Sequence, residues 1–172
     1  MAKRRNAPSK APMNGMPITV VIADRKKKDR LRCHAALQTE DGIQVIGEAA
    51  SRHEVLAALK RKPRVLLLDF TLSHVQPDSL VSTVRRESPD TRVVLMTDRA
   101  TESRIVDALS QGARGYLWKE MIAPHLPRTV RVVDAGEAWI PRMMVALLLD
   151  RLAHLSVFPA RRRRAPRRRS TD

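Results

Sequence analysis

Cysteine occurs once, at Cys33, which excludes an intrachain disulfide and a thiolate metal site and fits a reducing compartment. No run approaches the roughly 18–20 consecutive apolar residues that a membrane-spanning helix needs. The basic start Lys3–Arg5 is followed by Pro8, Pro12 and Pro17 and by no apolar run, so residues 1–17 do not read as a secretory leader. A soluble cytoplasmic protein is expected. The sequence also lacks H-E-x-x-H, P-loop and G-x-S-x-G patterns, and His34, His53, His74, His125 and His154 show no metal-binding spacing. His74 reads as a loop residue.

What is abundant is positive charge. The formal balance is +15, from 33 Lys+Arg against 18 Asp+Glu, and it is concentrated at the ends. Residues 18–157 hold 22 Lys+Arg and 17 Asp+Glu, whereas seven arginines crowd between Arg161 and Arg169. A terminal basic run binds polyanions without reading sequence, and loses them to salt. The chain therefore divides into a disordered basic arm (1–17), a folded unit (18–139), an amphipathic helix (140–156) and a disordered Arg-rich tail (157–172). The tail is a candidate contact for nucleic acid or another polyanion.

Within the folded unit, short apolar runs alternate with amphipathic stretches. Ile18–Ala23, 45–47, Val65–Leu68, 93–96 and 115–117 read as strands, most of them apolar on both sides, as in a parallel sheet covered by helices on both faces. Leu31, Ala35 and Gln38 place a first helix. Ser51 and Glu54 form a capping box ahead of Val55, Ala58 and Leu59. Leu80, Val81 and Val84 mark a third helix, and Ile105, Ala108 and Leu109, closed by Gly112, a fourth. Leu126, Val130 and Val133 mark a fifth, predicted to start near Pro127, which has no amide hydrogen to donate. Five βα units with right-handed crossovers predict an α/β fold, a flavodoxin-like doubly wound (βα)5 parallel sheet of order 2-1-3-4-5. A further helix from Pro141 to about Leu155 presents Met144, Leu147, Leu148, Leu152 and Leu155. It is expected to pack on its own domain, with a dimer seam as the alternative.

Ligands of such a sheet gather at the carboxyl ends of its strands. Asp24 follows the first strand, Asp69 the third, Thr97 the fourth and Lys119 the fifth. Their types suit one reaction: a carboxylate accepts a phosphoryl group, a hydroxyl bonds the new oxygens and a lysine offsets their charge.

The segments Ala23–Arg25, Leu66–Phe70 (LLLDF), Val94–Thr97 (VLMT), Gly112–Glu120 (GARGYLWKE) and Ala135–Pro141 (AGEAWIP) together resemble the CheY-like receiver domain of two-component response regulators. The subclass is the one that precedes LuxR/NarL-type helix-turn-helix domains. The resemblance implies Asp69 as phosphoacceptor, Lys119 as the phosphate-contacting lysine, Thr97 as the switch hydroxyl and Tyr116 as the switch aromatic. It implies a histidine kinase or phosphotransfer protein as donor, and no enzymatic turnover beyond slow self-phosphorylation and dephosphorylation. It further implies output through the face of the fourth helix, fifth strand and fifth helix to a protein partner or homodimer. It implies Mg2+ as helper, held by Asp24, Asp69 and the Thr71 carbonyl.

Three departures stand beside the resemblance. Arg25 occupies the position of the family's second metal-binding acid. A cation near a divalent ion costs roughly 1–4 kcal/mol per unit charge at 4 Å for effective dielectrics of about 80 to 20, so Mg2+ binding is expected to be weakened or lost. The Arg25 guanidinium is itself a candidate partner for Asp69, which would make a phosphorylation-independent interaction module. Ser73 stands where the family has proline, and Pro77 and Asp78 where it has glycine. Past Leu155 the sequence passes to Phe158, Pro159 and the arginine run instead of a helix-turn-helix, so no recognition helix is expected and any nucleic-acid contact falls to the tail.

Overall fold

The structure, a computed structural model, describes residues 15–73 and 79–157. The first 14 residues, His74 to Asp78 and the Arg-rich tail lie outside the described residues, and so do the expectations made for them.

The apolar runs form five parallel strands: β1 (Ile18–Ala23), β2 (Ile43–Ala49), β3 (Val65–Asp69), β4 (Arg92–Thr97) and β5 (Gly115–Trp118). Their order is β2-β1-β3-β4-β5, the doubly wound arrangement read from the sequence. β3 is buried along its whole length, because helices cover both faces, whereas β2 at one rim is mostly half-buried. The helices are α1 (Lys27–Leu37), α2 (Arg52–Leu59), α3 (Leu80–Glu87), α4 (Glu102–Ser110), α5 (Ile122–Asp134) and α6 (Arg142–Val157). A helical turn at Phe70–Ser73 follows β3, and a 3-10 turn at Lys119–Met121 leads into α5.

Two cores result. Val21, Leu66, Leu68 and Leu95 face α2, α3 and α4, while Val20, Ile22, Leu67 and Met96 face α1 and α5. Local signals explain much of this layout. The Ser51 hydroxyl accepts from the Glu54 amide at 3.3 Å, and the Glu54 carboxylate accepts from the Ala50 amide at 2.9 Å, closing the capping box at α2. Gly112 leaves α4 with φ +119, a conformation that a side chain would strain.

Three expectations fail locally. The buried face of α1 is Asp29, Cys33 and Leu37, while Leu31 is 55% exposed. A buried carboxylate on that stripe disguised it as the polar side. Next, α5 begins at Ile122, with Pro127 inside it. Ile122 lies on the same buried face as Leu126, Val130 and Val133. Burying such a side chain contributes roughly 1.5–3 kcal/mol, which offsets much of the ~3 kcal/mol that an internal proline costs. Finally, α6 does pack on its own domain, but through Met144 and Leu148, with Arg151 donating to Asp107 on α4 at 2.8 Å. Leu147 and Leu152 are exposed, together with Val145 and Leu149. The Leu155 side chain lies outside the described residues.

Ahead of α6, Trp139 forms a parallel bridge to Gly115 at the outer rim of β5. The Tyr116 amide donates to the Trp139 carbonyl and the Trp139 amide to the Arg114 carbonyl, each at 3.0 Å.

Candidate functional site

The fold delivers Asp24, Asp69, Thr97 and Lys119 to one cleft at the carboxyl ends of β1, β3, β4 and β5. Each arrives there because its strand ends at that residue or just before it. Asp69 is paired in register with Met96, which sets Thr97 one position further along β4. Arg25, Lys26, Phe70, Thr71, Asp98, Arg99 and Arg104 complete the lining.

Lys119 is the centre of charge. Its Nζ lies 2.5 Å from Asp24 Oδ2, 2.7 Å from Asp69 Oδ2 and 2.9 Å from Asp29 Oδ2, and all four side chains are at most 5% exposed. A lysine ammonium has three donors, and here three carboxylates crowd around it. The contact with Asp24 is ionic and not a well-angled hydrogen bond. Burial works to lower the affinity of Lys119 for its proton, but the close contacts with Asp24, Asp69 and Asp29 outweigh it and hold the amine charged above the usual lysine range. For Asp24 the balance goes the other way: burial raises its carboxyl above the usual range, against the pull of Lys119 and the Lys26 amide. Burial also works to raise Asp29, but the bond to Lys119 and the charges of Lys119, Lys26 and Arg32 hold it below the usual range.

The remaining oxygens are also engaged. Asp24 Oδ1 accepts from the Lys26 amide at 2.8 Å. Asp69 Oδ1 accepts from the Thr71 amide at 3.0 Å and from the Thr71 hydroxyl. Around this pocket, Arg32 donates to the Lys119 carbonyl at 2.9 Å, and Arg30 donates to the Asp24 carbonyl at 2.8 Å. Thr97 is buried and its hydroxyl accepts from the Arg99 amide at 3.1 Å. Tyr116, 3% exposed, points into the core beneath α4 and meets Trp118 edge to face, with ring centroids 5.4 Å apart.

Arg25 does not behave as a lock. It is exposed, and among the described residues it pairs with neither Asp69 nor Asp24; the amine that holds them is Lys119. Sequence reasoning missed Asp29. Its one available signal was its spacing of four from Cys33 and eight from Leu37, a helical stripe that only a buried partner makes sensible.

The donor set does not suit Mg2+. The ion wants near-octahedral oxygen, usually with carboxylate charge to spare. Asp24 and Asp69 already share theirs with Lys119, Arg25 lines the cleft where a third acid would stand, and among the described residues no three His, Cys, Asp or Glu side chains are placed to hold a metal.

The sequence profile of the response regulator receiver domain matches residues 20–131. The uncharacterized transcriptional regulatory protein YhcZ of Bacillus subtilis is 28% identical over 137 residues, which is 79% of this chain and 62% of YhcZ; the chain thus spans less than two thirds of that relative. Among solved structures, the isolated receiver domain of RcsB from Salmonella enterica serovar Typhimurium, determined with the phosphomimetic BeF3-, superposes with a TM-score of 0.67 at 19% identity. It covers 77% of this chain and 99% of its own. A LuxR-family two-component response regulator from an Aurantimonas species gives the same TM-score at 18% identity, covering 80% and 99%.

Proposed function

The chain belongs to the response regulator receiver family, and on that premise we propose that Asp69 accepts a phosphoryl group from a histidine kinase or phosphotransfer protein in a two-component pathway. The observation that carries this reading is the Asp69 carboxylate beside Lys119 at 2.7 Å, in a cleft shared with Thr97. An Asp69 oxygen attacks phosphorus, the P–N bond of the phosphohistidine breaks, and the leaving imidazole keeps or takes up a proton. The acyl phosphate formed is stabilised by the Lys119 ammonium and the Thr97 hydroxyl. Positioning and charge do the work, so the protein acts as an acceptor and not as a turnover enzyme, and Mg2+ keeps at most a reduced part.

Output follows from the same geometry. Thr97 ends β4, and Tyr116 lies on β5 in the core beneath α4. A hydroxyl drawn toward a new phosphoryl group leaves room behind it, and the tyrosine ring moving into that room reshapes the α4–β5–α5 face for a protein partner or a second copy. The relatives' names tie such receivers to transcriptional regulation, and a cytoplasmic setting fits the single free Cys33.

The test is phosphate-affinity electrophoresis after incubation with a phosphorylated kinase or acetyl phosphate, with and without Mg2+, on wild type and Asp69→Asn. A shifted species in wild type that the variant lacks supports the proposal. No Asp69-dependent shift under either condition overturns it.

A further inference from the structure

The family pattern places two acids after the first strand, and here one of them is Arg25. Asp29, four residues on, sits in the first turn of α1 on its buried stripe, 2% exposed, with its carboxylate 2.9 Å from Lys119 Nζ. Position 29 stands among Cys33 and Leu37, where packing alone favours an apolar side chain. A buried carboxylate there is costly unless it is paired, and the ion pair with Lys119, supported by Arg32 at 3.7 Å, is what offsets the cost.

We infer that Asp29 fixes Lys119 beside Asp69, so that this pocket is assembled without a divalent metal. Asp29 is buried and stands outside the residues that line the cleft. Around the cleft the lining carries Arg25, Lys26, Arg99 and Arg104 against one further acid, Asp98, which pairs with Lys26 at 3.2 Å, so the balance there is cationic. Within, Asp24, Asp29 and Asp69 all lie within 2.9 Å of the Lys119 ammonium. An arriving phosphoryl group displaces Lys119 from one carboxylate only. Asp29, remote from the mouth, remains as the anchor that keeps the ammonium in reach, which makes it a positioning residue.

This inference rests on reading the cleft as the phosphoacceptor pocket, so its readouts are chosen to need no phosphoryl transfer. In the full chain, Mg2+ is titrated by calorimetry and by tryptophan emission. Wild type is expected to show no saturation through the millimolar range, and Arg25→Asp to gain at least about tenfold in affinity from the two-unit charge change. Submillimolar binding by wild type, or no gain in Arg25→Asp, overturns the proposal.

The second readout is the side-chain ammonium resonance of Lys119, which is visible only when its protons exchange slowly. It is expected in wild type without metal, lost in Asp29→Asn with the amide spectrum otherwise intact, and regained in Asp29→Glu. Should Asp29→Asn fail to fold, Asp29→Ser, which leaves room for water at Nζ, takes its place. A signal that persists in the folded variant overturns the role of Asp29. Acetyl-phosphate labelling that is abolished by chelation would overturn metal independence while leaving Asp69 as acceptor, so the two readings fail separately.

Discussion

Lys119 Nζ lies 2.7 Å from Asp69 Oδ2, and neither side chain is more than 5% exposed. The pair is one arm of a charge cluster in which a single ammonium serves three carboxylates. Removing that ammonium leaves buried anions in mutual repulsion, which costs about 3–5 kcal/mol. Lys119→Met is therefore expected to lose that much stability at neutral pH. In the variant the carboxyls titrate above their unfolded values, and a group of that kind favours the folded state increasingly as pH falls. The deficit should shrink between about pH 7 and pH 5, as read by urea unfolding at several pH values.

Asp29 gives the opposite dependence. Its carboxyl is held below the usual carboxylate range because Lys119, Lys26 and Arg32 outweigh the effect of burial. Its contribution is present above the unfolded pKa and lost as pH falls through the folded one. Asp24, raised by burial, contributes in the reverse sense, so wild type alone mixes the two. The difference between wild type and Asp29→Asn isolates the first. It is expected to be about 1–3 kcal/mol at pH 7 and to close below about pH 4, measured by paired chemical denaturation.

Two of the contacts that attach α6, a buried side chain and a surface ion pair, differ in magnitude. Met144 is 3% exposed within the core beneath α4. Arg151 and Asp107 meet at 2.8 Å but are 53% and 39% exposed. Met144→Ala is expected to cost about 2–5 kcal/mol, against less than about 1 kcal/mol for Arg151→Ala. Thermal melts of the two variants check the order, and hydrogen exchange along 142–157 should rise in the first only.

Gly115 opens β5 in a place where a methyl group fits only if its neighbours give by a few tenths of an ångström. A Cβ there would meet Val133 Cγ2 at 3.2 Å, Val94 Cγ2 at 3.3 Å and Trp139 Cβ at 3.4 Å. Gly115→Ala is expected to destabilise by about 1–3 kcal/mol through overpacking. Calorimetric melting measures the loss, and tryptophan emission should shift with it.

The sheet was readable in the sequence because strands covered on both faces leave unbroken apolar text, as in Val65–Leu68. Asp24, Asp69, Thr97 and Lys119 could be placed at one edge because parallel topology puts every strand end on the same side. What stayed hidden depended on partners far along the chain. Asp29 looked like one more charge in the Lys27–Leu37 stretch, since the lysine that buries it is 90 residues away. Leu31 looked like core for the same reason. At Pro127, a local rule about amide hydrogens yielded to the packing of Ile122. In α6, apolar residues ring the helix so evenly that spacing alone did not single out the face that packs.

The bridge between Trp139 and Gly115 also governs how copies of the molecule can meet. An unpaired rim strand is an open template onto which another chain can add its own backbone. By occupying the Tyr116 amide and the Arg114 carbonyl, Trp139 withdraws those groups from such addition on the β5 side. Along this stretch of the flank, contact between copies is steered toward side-chain complementarity, which a regulated surface can reverse, and away from continuous sheet growth, which it cannot.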